Sequence, residues 1–383
     1  MEIYLDNSAT TKPYKEVVDK MVYALTEQYA NPSSIHRKGV IVEKEIKNAR
    51  REIAKHVGAK DKEIFFTSGG TESNNIIIRG VAYANHRNGK HLITTKIEHP
   101  SVLNTFKDLE KDGYEVTYLG VNEKGLIDFE DFKKALREDT TLVSIMHVNN
   151  EVGAIQPVDK IGRYLSKLKR KVYLHVDAVQ SFGKIDFKPS KYNIDLMSVS
   201  AHKIHGPKGI GFVYVKENTK IKSIVTGGGQ EGSFRSGTEN VPGIFGLSEA
   251  VRITMDNLKD NVKKVTKLKE LLLNEIKSNI DDIKINSIED GVCHILNVSF
   301  IGIRGEILLH YLEEDNIYVS TGSACSSKKK GSHVLIEMGL WASEIEGAIR
   351  FSLSTMNKEE DIKKAVEIIK KKVEELRIII NKR

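Results

Sequence analysis

Ser198-Val199-Ser200-Ala201-His202-Lys203-Ile204-His205-Gly206-Pro207-Lys208-Gly209 decides how this chain is read. An apolar run over 194–199 precedes it and another over 210–215 follows, so the stretch joins two expected buried strands. Between them stand a serine, two histidines, a lysine and a Gly-Pro turn. A lysine held at the end of a buried strand is stripped of water, which disfavours its ammonium form and lowers its pKa. Such an amine can form a Schiff base with a carbonyl cofactor. The plainer alternative is a solvated turn lysine, one of 59 Lys and Arg in 383 residues. The residues placed elsewhere in the chain decide between the two.

Working outward, strands are expected at 63–67, 91–95, 114–119, 142–148 and 172–176, separated by helices at 72–86, 101–111, 128–137 and 158–168. This alternation predicts an α/β fold with an open, mostly parallel sheet flanked by helices. Ligands of such sheets lie beyond the carboxyl ends of the strands, and the polar motifs fall there. Ser68-Gly69-Gly70-Thr71-Glu72 follows the first strand and opens a helix. Free N–H groups, the helix dipole and a hydroxyl make it a phosphate site or a simple helix cap. Glu98-His99-Pro100-Ser101 follows the next strand, so His99 either packs on a planar ring and moves protons or merely starts a helix. Asn149-Asn150-Glu151 and Asp177-Ala178-Val179-Gln180 follow two more. An aspartate at the end of a buried strand needs a cationic or hydrogen-bonding partner, and a pyridinium nitrogen is one. The polar glycine-rich stretch 227–239 is a linker, or it carries Arg235 and Thr238 to a phosphate across a subunit boundary.

Before these strands, 14–29 and 42–57 read as helices, the second closed by Gly58. After them, 242–279 reads as largely helical, 292–300 as a strand containing Cys293, and 304–313 as a helix. A strand at 317–320 and a last helix capped by Asn357 with Glu360 as its reciprocal partner complete the pattern. The expected division is a large cofactor-binding domain at 14–255 and a smaller α+β domain formed by 1–13 and 256–383.

Bulk properties agree with an ordinary globular protein: 40% hydrophobic, 29% charged, net charge +7. The positive charge permits contact with acidic partners, but direct nucleic-acid binding is not expected. No apolar run approaches the roughly 20 residues that span a bilayer. Met1 to Asp6 has neither a basic nor an apolar leader region, so a cytoplasmic location is expected. The two cysteines, Cys293 and Cys325, form no CxxC pair, which argues against a zinc site, and no metal is expected. Cys293 reads as an inert core residue. Cys325 lies among small residues (about 321–333) just before Lys328-Lys329-Lys330. Nearby cations favour the nucleophilic thiolate. Glycine and serine predict a mobile loop that could collect a group at one site and deliver it at another; the alternative is an incidental exposed thiol.

Together these motifs resemble the cysteine desulfurases, of the class V aminotransferase group of fold type I pyridoxal-phosphate enzymes. The resemblance runs from Tyr4-Leu5-Asp6-Asn7-Ser8-Ala9-Thr10-Thr11 to Arg350-Phe351-Ser352-Leu353. It passes through Gly70-Thr71-Glu72-Ser73-Asn74-Asn75, Glu98-His99-Pro100, Ser200-Ala201-His202-Lys203 and Arg235-Ser236-Gly237-Thr238. Gly322-Ser323-Ala324-Cys325 is its most discriminating piece. The resemblance implies that Lys203 holds pyridoxal 5'-phosphate and that Asp177 pairs with the pyridine nitrogen. It further implies that His99 stacks on the ring and that Gln180 contacts the ring hydroxyl. Gly70, Thr71, Ser200 and His202 would hold the phosphate, joined by Thr238 of a neighbouring subunit in a homodimer. Asn150 and Arg350 would hold the carboxylate of L-cysteine. The implied products are L-alanine and a persulfide on Cys325, passed to a sulfur-acceptor protein. That acceptor is left open between an iron–sulfur scaffold, a tRNA-thiolation enzyme and a thiamine-pathway carrier. Relatives serving the general scaffold usually carry a longer polar tail than the one ending here at Arg383. A class V aminotransferase or a selenocysteine lyase is the alternative reading.

Overall fold

The computed structural model describes residues 2–321 and 331–381. The chain begins with strand β1 (Ile3–Tyr4) and helices α1 (Lys15–Thr26) and α2 (Arg37–Val57). It then alternates through β2 (Ile64–Thr67), α3 (Gly70–Asn85), β3 (His91–Thr95), α4 (Pro100–Lys111) and β4 (Glu115–Leu119). The alternation continues with α5 (Phe129–Ala135), β5 (Thr140–Met146), α6 (Val158–Leu165), β6 (Tyr173–Asp177), β7 (Leu196–Ser200) and β8 (Gly211–Val215). These strands form a seven-stranded sheet in the order β2-β8-β7-β6-β5-β3-β4. The run from β7 to β4 is parallel, and β8 lies antiparallel to both of its neighbours.

Side chains alternate across this sheet, as the two-residue period of a strand requires. Ile93, Val143, Leu174, Val176, Met197 and Phe212 face a core shared with α1, α2 and the later helix α7 (Val241–Asp256). Leu92, Leu142, Tyr173, Leu196 and Val213 face the other way, against Ile77 and Val81 of α3 and Phe106 of α4. Helices therefore cover both faces and leave only the ends of the strands for chemistry.

A separate core lies beyond. It is built on α8 (Leu258–Asn279), a three-stranded sheet of β9 (Ile283–Ile285), β10 (Ile295–Phe300) and a last strand, and helix α9 (Gly305–Glu313). The chain then runs through β11 (Ile317–Tyr318), α10 (His333–Glu337), α11 (Ala342–Glu346), the last strand β12 (Ala348–Ser352) and α12 (Glu359–Asn381). The N-terminal segment belongs to this second core. β1 pairs with β11, Asp6 bridges to Ser352, and Ile3 and Leu5 are buried among Leu296, Phe351 and Ile369.

Two expectations are corrected. Cys293 lies before β10, in the turn that leads into it, and is half-buried. The strand starts at Ile295 because antiparallel pairing with β12 begins at Ile295↔Ser352. Asn357 does not cap the last helix with Glu360. Its side chain is buried, accepting the Ser354 N–H at 2.8 Å and donating to the Tyr4 carbonyl at 3.0 Å. Asp361 takes the neighbouring donor instead, accepting the Lys358 N–H at 3.0 Å.

Candidate active site

The carboxyl ends of β2, β3, β5, β6 and β7 open on one edge of the large sheet, and the loops after them converge on a cavity of about 430 Å³. Its lining brings together Gly70, Thr71, His99, Asn150, Asp177, Gln180, Ser200, His202, Lys203 and Arg350. Two of the expected residues are not in that lining. Thr238 is exposed on the glycine-rich loop, and Cys325 lies outside the described residues.

Lys203 sits in a single helical turn directly after β7. Its Nζ donates to the carbonyls of Ser8 at 2.5 Å and Ala9 at 2.7 Å. Burial, reinforced by the Arg350 guanidinium and opposed by Asp6, pushes the amine down to about 8. A substantial neutral fraction near physiological pH is what a nucleophilic amine needs. Behind it, the half-buried Lys184 donates to the Lys203 carbonyl at 2.7 Å and is also pushed down to about 8 by desolvation.

Asp177 ends β6, in register with Met146 and Ser198 on either side. It is 7% exposed and accepts from the Val179 N–H at 3.0 Å and from Asn74 Nδ2 at 2.7 Å. Among the described residues no cation pairs with it, so a buried carboxyl group without a cationic partner lines the cavity. Gln180 is clamped: Nε2 donates to the Ser8 carbonyl at 3.0 Å, and Oε1 faces His294 Nε2 at 3.2 Å. Burial keeps His294 neutral.

His99 caps α4, its Nδ1 accepting the Ser101 N–H at 3.1 Å. Its exposed surface is the cavity face. Desolvation by the surrounding walls lowers its pKa, Lys203 and His333 add to that, and Asp177 opposes them. His202 is pushed down to about 4 by burial together with Lys203 and Lys208.

A second, shallower hollow adjoins the first, lined by Ser68, Gly69, Gly70, Thr71, Ser200 and His202. Here α3 begins, with Gly69 at φ 143 ahead of it. A Cβ on Gly70 would stand 2.9 Å from Val179 Cγ2. The unpaired N–H groups of the first turn face this hollow, which suits an anion. Glu72 does not spoil it, because Arg235 pairs with that carboxylate at 2.9 Å and the Ser68 N–H donates to it.

Opposite Lys203, Arg350 of β12 is 6% exposed. It donates through Nη1 to the Asn150 carbonyl at 2.9 Å and through Nη2 to Asp6 Oδ1 at 2.8 Å, while Nε–H is buried without a partner. Glu151 beside it is pushed up to about 7 by burial, with Ser332 Oγ donating at 2.5 Å. Sequence reasoning missed Asp6, Asn74, Ser101 and Glu151 as members of this lining. The one available signal was the His99-x-Ser101 spacing at a helix start.

These residues fit pyridoxal phosphate. The cavity holds an unpaired carboxylate for a pyridinium, a helix start for a phosphate, and an amine of lowered pKa for the aldehyde. Among the described residues, no group of His, Cys, Asp or Glu is arranged to hold a metal ion, and no helix is long and apolar enough to cross a membrane.

Comparison with known proteins agrees. The family model described as aminotransferase class-V matches residues 3–365. A protein named cysteine desulfurase IscS from Clostridium botulinum is 43% identical over 380 residues, spanning 98% of this chain and 95% of its own. A solved NifS-like protein superposes with a TM-score of 0.93 at 40% identity, covering 98% of this chain and 100% of that one. Another solved structure, described as SspA in complex with cysteine, has a TM-score of 0.82 at 36% identity over 92% of this chain and 98% of that one. The chain belongs to the class V aminotransferase family and, within it, to the cysteine desulfurases.

Proposed function

We propose that this protein is a pyridoxal-phosphate-dependent cysteine desulfurase that converts L-cysteine to L-alanine and collects the sulfur as a persulfide on Cys325. The observation that carries the reading is the pairing, across one cavity, of the low-pKa Lys203 amine with the buried, cation-free Asp177 carboxylate. When bound, the cofactor supplies an electron sink for the pair released at the substrate α-carbon.

The chain's own groups do the rest. Asp177 holds a positive ring nitrogen, Gln180 the ring hydroxyl, and the start of α3 with Ser200 and His202 the phosphate. Arg350 and Asn150 take the substrate carboxylate; a guanidinium matches that group bidentately. Lys203, the amine that would hold the cofactor aldehyde, lines the same cavity and is the group that would move the α-proton. The Cys325 thiolate attacks the substrate sulfur, the C–S bond breaks with its pair left on carbon, and that carbon takes up a proton. A relative solved with cysteine supports the substrate.

We assign Thr238 to the phosphate of the partner subunit in a homodimer. Its exposure outside the lining of its own chain's cavity supports this, as do Leu25, Tyr29 and Ile35, which are 61%, 65% and 99% exposed around α1. The reading keeps the large domain at 14–255 and the small domain at 1–13 with 256–383. It places the enzyme in the cytoplasm, where thiols stay reduced, and its acceptor is an iron–sulfur scaffold or a thiolation enzyme.

The test is anaerobic. Enzyme loaded with pyridoxal phosphate receives L-cysteine and a reductant, and alanine and sulfide are quantified for wild type and Cys325→Ala. Near-equal alanine and sulfide from wild type, with little from the variant, is the expected result. A yellow protein that makes no alanine overturns it.

A further inference from the structure

We propose that Asn74 and Ser101 are positioning residues that lock His99 in the tautomer carrying its proton on Nε2, so that the ring presents a donor rather than an acceptor to the cavity. This rests on the reading above only for its functional consequence; the geometry stands on its own.

Asp177 faces Asn74 Nδ2 at 2.7 Å, and a carboxylate can only accept, so the amide must turn its NH₂ toward it. The second hydrogen of that NH₂ points to Ser101 Oγ at 2.9 Å. Ser101 Oγ, which accepts from Asn74, also has a hydrogen to give, and its neighbour is His99 Nδ1 at 2.8 Å; the direction of that bond is set by the backbone contact to the same nitrogen. The Ser101 backbone N–H, which cannot accept, reaches the same nitrogen at 3.1 Å. Two donors therefore converge on Nδ1, and a proton there would face both of them. The chain of bonds has one direction: Asp177 accepts from Asn74, which donates to Ser101, which donates to His99.

Asn74 is 1% exposed, and its Oδ1 is buried without a hydrogen-bond partner. An amide free to choose would not leave its carbonyl orphaned, because such a group costs free energy. The orientation is imposed by the two acceptors on its other side. Asp177 thus also fixes, through two intermediaries, which nitrogen of His99 bears the proton. The charged and titratable groups acting on His99 are Asp177, Lys203 and His333. With Nδ1 already claimed by donors, the ring stays neutral, and its Nε2–H is what meets a ligand in the cavity.

The experiment reads the tautomer directly. Long-range ¹H–¹⁵N correlation spectra of the imidazoles are recorded on the protein without cofactor at pH 7.5, with His99 assigned by its absence in His99→Gln. The expected result is a single Nε2–H form in wild type, a mixture in Ser101→Ala and Asn74→Ala, and recovery in Ser101→Thr. On loaded enzyme, Ser101→Ala is expected to lower kcat about tenfold, less than the roughly hundredfold or more that a positioned acid–base group itself contributes, because Ser101 acts only through His99. The KM for L-cysteine should stay within about twofold, and Ser101→Thr should restore the rate. An Nδ1–H form in wild type, or an unchanged tautomer in Ser101→Ala, overturns the proposal whatever the activity. Ser101 lies at the cavity wall, so its variant serves if Asn74→Ala does not fold. Should wild type show the expected tautomer but release no alanine, the desulfurase reading fails and the positioning stands.

Discussion

Replacing Arg350 by lysine separates charge from geometry at the proposed carboxylate site of the cavity. The guanidinium spends one N–H on the Asn150 carbonyl and one on Asp6 Oδ1, and it retains further N–H groups at a wall of the cavity. A lysine keeps the charge but carries three donors on a single atom. Held by Asp6 and the Asn150 carbonyl, it cannot also match both oxygens of a carboxylate. The loss is at least one charge-assisted hydrogen bond, about 1.5–3 kcal/mol, or roughly 10- to 150-fold in kcat/KM. The contact is made alike in ground and transition states, so the change is expected in KM with kcat nearly preserved. Alanine release at several L-cysteine concentrations measures both constants, and near-ultraviolet circular dichroism checks that the fold is intact. A well-folded Arg350→Lys enzyme with KM within twofold of wild type would refute the assignment of Arg350 to the substrate carboxylate.

Other expectations test the supports of the site. Glu98 is fully buried behind Asp177 and is pushed up to about 8 by desolvation, against an ordinary value of 4.5. Its folded pKa is raised, so the stability it contributes is full below about 4.5 and is lost as pH rises through about 8. Glu98→Gln should therefore flatten the fall in Tm of wild type between about pH 4.5 and 8, and an identical fall in both proteins would contradict this. Glu231, with a 3% exposed side chain, grips Arg50 through two bonds of 2.7 and 2.8 Å and accepts the Phe66 N–H at 2.8 Å. Glu231→Gln breaks a buried pair at a cost of about 3–5 kcal/mol, which in a chain of 383 residues lowers Tm by roughly 5 °C. A change below 1 °C by calorimetry would show that the pair does not anchor the glycine-rich loop. Lys184→Met removes a positive charge that depresses the Lys203 amine. The neutral fraction of Lys203 should fall, and uptake of pyridoxal phosphate by the cofactor-free protein at pH 7.5 should slow; unaltered uptake kinetics would count against that coupling.

The large sheet was legible because its strands are short apolar runs ended by polar motifs, and burial on both faces leaves little else for them to be. The site residues at strand ends were legible for the same reason: Asp177, Ser200 and Lys203 are polar groups where the periodicity demands apolar ones. Asp6 was not. A lone carboxylate in a turn-rich segment carries no sign that its partner is 344 positions away. Asn74 and Ser101 sit inside helices, where local pattern reads only a polar face and a cap. Cys293 was misplaced because an apolar stretch does not say where pairing starts; the partner strand β12 decides that. Asn357 was misread because a capping pattern competes with any tertiary acceptor, and the Tyr4 carbonyl won.

The Asp6–Arg350 pair also bears on the order in which the protein can be made. Asp6, Ser8 and Ala9 leave the ribosome long before β12, which supplies Arg350, 344 positions after Asp6. Once β8 has been made the large sheet can form and present the Lys203 amine, while the wall that carries the arginine does not yet exist. A nascent chain can thus hold the amine that captures an aldehyde well before it has the arginine proposed to select an amino acid. The cavity wall is completed only when the segment at Asp6 is pinned beside β12.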